Sequence, residues 1–192
     1  MKHLQSAAIV AVAALALTGC NDDNPWAGVA GKGGISLRLK TDAAVKDAVP
    51  TRATETLEAP DASLFAIKAE KNDGSYTGNW NSITEFNDYE EGFTVGRYTV
   101  SASYGNIENE GFDSPAYYGE ADVMVLEGQP ASAEITATLA NTIVSVDFTD
   151  AFKTYFEDYS VTLHSEGHSY QTVNAEDTGR AVYLRRVMSN WP

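Results

Sequence analysis

Gly96-Arg97-Tyr98-Thr99-Val100-Ser101-Ala102-Ser103-Tyr104-Gly105 decides how the rest of the chain is read. Tyr98, Val100, Ala102 and Tyr104 share one face of an extended strand, and Arg97, Thr99, Ser101 and Ser103 share the other. Successive Cβ atoms of a strand point to opposite faces, so this period of two puts one row in a core and one row in water. Working outward, Ile35, Leu37 and Leu39 alternate with Ser36, Arg38 and Lys40. Phe65, Ile67 and Ala69 do the same and run into Asn72-Asp73-Gly74, whose Asp-Gly is a hairpin signal. Residues 75–91 are ragged, with a short strand expected near Ser82 to Phe86, and the central strand is expected over 93–104.

On the C-terminal side, Glu120 to Leu126 reads as a strand and Glu127-Gly128-Gln129-Pro130 as a turn. Ile135, Ala137 and Leu139, then Val144, Val146 and Phe148, continue the alternation. Phe152, Tyr155 and Phe156 break it at i, i+3, i+4 spacing. They predict one short helix near 150–157, with Asp150 as its N-cap. Tyr159, Val161 and Leu163 form a hairpin with residues 169–173 across Glu166-Gly167, and residues 181–186 supply one more strand. Short strands separated by frequent turn signals predict an all-β fold, an antiparallel two-layer β-sandwich of Ig-like type. The sandwich domain is expected over 34–186. Residues 187–192 have no strand period and read as an irregular tail, so the chain is expected to lack terminal strands.

The N-terminus reads as an address. A short basic start, Met1-Lys2-His3, precedes eleven apolar residues, Ala7 to Leu17. That run is too short to span a bilayer and has the length of a signal h-region. Leu17-Thr18-Gly19-Cys20 follows and resembles the lipobox of bacterial lipoproteins. The resemblance implies a signal peptide over 1–19, cleavage between Gly19 and Cys20, and lipid on the Cys20 thiol. Asn21-Asp22-Asp23-Asn24 resembles the export signal of Bacteroidota-type surface lipoproteins. The expected location is the outer membrane, lipid-anchored and exposed at the cell surface. Residues 20–33, with Gly28, Gly31 and Gly33, read as a flexible lipidated tether. Trp26 inside it has two readings, contact with the membrane or with the domain.

The chain carries 13 Lys and Arg against 27 Asp and Glu, a net charge of −14. Such a surface opposes a phosphate field, which argues against nucleic-acid partners. The single cysteine excludes a disulfide within the chain. His164 and His168 are four apart, yet a strand period and a Glu-Gly turn place them on opposite arms of a hairpin, so no metal site is expected. Asn72-Asp73-Gly74 is too sparse for a calcium loop. No Gly-x-Ser-x-Gly occurs, and the acid pairs Glu90-Glu91 and Glu108/Glu110 carry little information in so acidic a chain. No catalytic residue and no cofactor is expected, and the chain reads as non-enzymatic. The aromatics Tyr76, Trp80, Tyr117 and Tyr118, with Tyr89, stand among polar residues, where flat rings stack on sugar rings. They are the candidate glycan contacts.

Gly34-Ile35-Ser36-Leu37-Arg38-Leu39, Gly96-Arg97-Tyr98-Thr99-Val100, Pro115-Ala116-Tyr117-Tyr118-Gly119 and Thr138-Leu139-Ala140-Asn141-Thr142-Ile143-Val144 occur in an order that resembles the lipoprotein domain of unknown function 4493. The resemblance covers roughly residues 30–180. It implies a sandwich similar to those of fimbrillin-type surface adhesins, and no established activity. In fimbrillin-type pilins, cleavage after an arginine in an early segment frees the first strand, and a neighbouring subunit fills the groove. Arg52, in the long loop between the first two strands, is the candidate processing site, and Ile35 to Leu39 would be the removable strand. The implied partners are pilin subunits or other surface proteins, or a glycan. The alternative reading is an accessory glycan-binding lipoprotein of a polysaccharide-capture system.

Overall fold

A computed structural model describes residues 24–43, 58–164 and 170–186. In chain order its elements are β1 (Lys32–Asp42), β2 (Ala66–Lys71), β3 (Thr77–Trp80), α1 (Ile83–Asn87), β4 (Phe93–Thr94), β5 (Gly96–Tyr104) and β6 (Gly111–Phe112). There follow β7 (Tyr117–Val125), β8 (Pro130–Leu139), β9 (Thr142–Ser145), α2 (Asp150–Tyr155), β10 (Ser160–His164), β11 (Tyr170–Asn174) and β12 (Ala181–Leu184). The fold is all-β and sandwich-like, as its alternation predicts.

β5 is the organising strand. Tyr98, Val100 and Ala102 are fully buried. β5 pairs antiparallel with β2 on one side and with β7 on the other. The main sheet runs β3-β2-β5-β7-β8-β1-β4. In a flat sheet β4 would lie four strand spacings from β5, roughly 19 Å. Only Val95 separates the two in the chain, a reach of about 7 Å. The sheet therefore curls on itself, and the inward rows of its strands close around one core. Phe65, Ile67, Trp80, Phe86, Phe93, Tyr98 and Ile135 fill that core. Its rings meet edge to face, as Trp80 does with Phe86 at 4.8 Å, the arrangement ring quadrupoles favour.

Three expectations need correction. The sheet is mixed: β1 runs parallel to β8 over nine residues, from Gly34 opposite Pro130 to Asp42 opposite Thr138. Periodicity is blind to strand direction, so alternation alone missed it. The expected strand near Ser82 to Phe86 is the helix α1. Ser82 Oγ accepts from the Glu85 backbone N–H at 3.1 Å, and Glu85 Oε2 accepts from Asn81 N–H at 2.8 Å. The first of these bonds satisfies an N–H that the first helical turn leaves without a partner, and the second ties the residue ahead of the cap back to the helix. The second helix, α2, is capped by Thr149, whose Oγ1 accepts from Phe152 N–H at 3.3 Å; Asp150 is its first residue.

A smaller core follows in the chain, around Phe148, Val173, Val182 and Leu184. It is built from the three-stranded sheet β6-β12-β9 and the β10–β11 hairpin. The link to the main sheet runs through the Ala116 backbone. Ala140 N–H donates to Ala116 O at 2.7 Å, and the buried Asn141 side chain accepts from Ala116 N–H. Gly105, at φ +70°, leaves room there for the Pro115 carbonyl, which a side chain would strike.

Candidate binding surfaces

The aromatic candidates separate by burial. Trp80 ends β3 pointing inward and is 7% exposed, packed on Phe86, Tyr89 and Phe93. Tyr117 is 3% exposed, against Phe65 and Tyr104, and burial pushes its phenol pKa up. Tyr76 is half-buried, its ring on Phe93 and Tyr98. Tyr89 is half-buried as well, and burial raises its pKa. Trp80 and Tyr117 are thus core residues with no face for a glycan. Their polar sequence neighbours are the outward half of the same strands.

Tyr118 alone of the five stands out, at 45% exposed on the outer face of β7. Its hydroxyl donates to Glu120 Oε2 at 2.6 Å. Burial of part of the ring, then Glu120, raises its pKa. Register places Ser103 opposite Tyr118, Ser101 opposite Glu120, and Lys68 on the far side of Ser101. Further along, Thr99 donates to Asp122 Oδ1 at 2.9 Å. The outer face is therefore one ring beside a field of hydroxyls and carboxylates, with Lys68 paired to Glu70.

The remaining candidates have structural partners. Glu110 Oε1 accepts from Arg185 N–H at 2.7 Å and Glu108 pairs with the Arg185 guanidinium, tying the loop before β6 to the end of β12. Tyr89 donates to Glu91 Oε2 at 3.3 Å. Asp73 accepts from Ser75, which lowers its pKa. His164 stacks on Tyr170 at 4.3 Å. Among the described residues no group of three His, Cys, Asp or Glu stands close enough to hold a metal. Gly19, Cys20, Arg52 and His168 lie outside the described residues.

Sequence reasoning missed one feature at β1 and left a second open. The first is its edge. Asn87, the last residue of α1, donates from Nδ2 to Leu37 O at 3.0 Å and accepts at Oδ1 from Leu37 N–H at 2.8 Å. One amide side chain thus stands in for a neighbouring strand. The second is the segment ahead of β1. The Trp26 indole lies over Gly34 and Gly92, where a Cβ on either glycine would run into it. Asn24 Nδ2 donates to Gly128 O at 2.9 Å. Trp26 therefore belongs to the domain, and the part of the expected tether from Asn24 onward is packed.

The family model described as Domain of unknown function (DUF4493) matches residues 31–188. No curated protein matches the chain. Among solved structures it is similar to a crystal structure of proposed polysaccharide-binding proteins (DUF1812) from Bacteroides thetaiotaomicron. The identity is 10% and the TM-score 0.45, over 82% of this chain and 72% of that one.

Proposed function

The chain belongs to the DUF4493 family, and we propose that it is a surface-anchored, non-enzymatic outer-membrane lipoprotein of the adhesin or fimbrillin-like class, working by contact with other proteins. The observation that carries this reading is β1. It lies inside the main sheet, pairs parallel with β8 over nine residues and, among the described residues, is hydrogen-bonded on its other side by the short strand β4 and by Asn87. Its covalent link onward runs through the segment that contains Arg52. A cut there leaves the segment that carries β1 without a covalent link onward, attached by hydrogen bonds, by the Lys40–Glu134 ion pair, by the burial of Ile35 and Leu37 and by the Trp26 contact with Gly92. A strand from another subunit satisfies the same backbone groups, so the exchange conserves hydrogen bonds. The non-enzymatic part is supported by the structural engagement of Glu108, Glu110 and Asp73. The anchoring part rests on the lipobox at Cys20.

An arginine-specific protease should cut the protein at Arg52 and yield ladders on gels. A resistant monomer contradicts the reading. A second reading, glycan capture by an accessory lipoprotein, is favoured by Tyr118 and the hydroxyl and carboxylate field beside it. On that reading Tyr118→Ala weakens retention on a polysaccharide column, whereas Trp80→Ala acts through the fold. Equal retention by wild type and Tyr118→Ala removes it.

A further inference from the structure

We propose that the end of the main sheet around Leu126 rests on the membrane, so that the lipid fixes position and the protein surface fixes orientation. This rests on the anchoring reading of Cys20. Asn24, four residues after Cys20, is hydrogen-bonded to the Gly128 carbonyl. Four residue steps reach at most about 14 Å. Cys20 therefore lies within that distance of Asn24, which is hydrogen-bonded to the turn that carries Gly128.

The surface at that end is apolar. Val123 and Val125 of β7 point into the core, so Met124 points outward, and Leu126 follows on the same side at 55% exposed. Gly96 is opposite Val125 and Arg97 opposite Met124, which sets Val95, also exposed, beside Leu126. Val95 N–H donates to Gly31 O, and Gly128 N–H to Lys32 O, binding this corner to the segment that leads back to Trp26 and Asn24. Three apolar side chains thus stand together where the chain departs for its lipid. The cations nearest them are engaged: Arg97 faces Asp122 at 4.0 Å, Lys71 faces Asp73 at 3.5 Å, and Lys32 donates to Glu91 O, which leaves Glu127, next to Leu126, as an exposed carboxylate. With a net charge of −14, the occupant this surface suits is the interfacial layer of a zwitterionic bilayer, not an anionic headgroup field. Three side chains alone bind a bilayer weakly; beside a permanent lipid they need only bias the tilt.

In this orientation β5 and β7 run away from the bilayer, and β5 alone carries its far end roughly 26 Å outward. Tyr118, paired near that far end, and the loop after Tyr104 then face outward.

The single native cysteine makes the test direct, because a thiol introduced elsewhere is the only free one once Cys20 is lipidated. Leu126→Cys and Ile107→Cys, both at exposed apolar positions but at opposite ends of the sheet, are labelled with an environment-sensitive fluorophore. The lipidated full chain is placed in phosphatidylcholine vesicles carrying a nitroxide-lipid quencher. The label at 126 should be quenched several-fold more than the label at 107. Mass spectrometry of the same material reads the lipid on Cys20. Lipid absent overturns the anchoring reading and this proposal with it. Lipid present with equal quenching at both positions, or more at 107, overturns the orientation alone.

Discussion

Asn87 closes a sheet edge with one side chain. Its amide carries one donor and one acceptor at the spacing of a strand's backbone pair, and both meet Leu37. Asn87→Ala removes both bonds and leaves part-buried backbone groups without partners, a loss of about 1–3 kcal/mol. Urea unfolding checks it, with Asn87→Asp expected to recover little, because a carboxylate cannot donate to the Leu37 carbonyl. A second residue-scale prediction concerns Asp177. The Asn174 backbone N–H, then Arg180 at 2.6 Å, hold its carboxyl below the usual carboxylate range. Arg180 also meets Asp113 and lies over the Phe112 ring, joining β6 to the approach to β12. A carboxyl whose pKa is depressed by folding contributes stability above its unfolded pKa, and that contribution is lost as pH falls through the folded value. Stability of the C-terminal half should therefore hold down to about pH 5 and fall below about pH 4. Asp177→Asn should flatten that slope in a series of melts against pH. At this scale the sequence was partly legible. The inward row of β5 followed from alternation, but Trp80 and Tyr117 did not separate from Tyr118, because polar neighbours look the same beside a buried ring and an exposed one.

At the scale of elements, the existence of the long strands was readable, while strand direction and short strands such as β3 and β6 were not. Ile35, Leu37 and Leu39 announced β1, yet nothing in a period of two distinguishes a parallel partner from an antiparallel one. α1 was legible in hindsight: Ser82-Ile83-Thr84-Glu85 is a helix-start pattern, and tertiary contacts of Phe86 and Asn87 complete a helix too short to stand alone. Because Ser82 caps it, Ser82→Ala should cost about 1 kcal/mol and loosen the hold of Asn87 on β1. Faster amide exchange at Leu37 is the expected result; unchanged protection there means that α1 does not guard this edge. Trp26 shows the converse limit. Gly28, Gly31 and Gly33 suggest a tether, but Gly34 and Gly92 are small because the indole lies on them, and a contact between distant positions leaves no local period.

The whole molecule is uneven. The core inside the curled sheet is large and aromatic, while the one around Phe148 and Val182 is small, with Phe152, Phe156 and Tyr155 of the α2 region exposed beside it. Elements with little burial open at lower free energy than the global transition. Native-state hydrogen exchange should therefore release β10 and β11 well before β5 and β7; simultaneous release would mean that the Ala116–Asn141 junction couples the two cores fully. The acidic surface keeps such a body apart from like-charged neighbours, and the association we propose runs through a defined strand contact. That contact is tested most directly by strand uptake. A labelled peptide spanning residues 32–42 is added to protein cut at Arg52 and to intact protein. Incorporation into the cut protein and exclusion from the intact one is the predicted result; exclusion from both would contradict a separable β1.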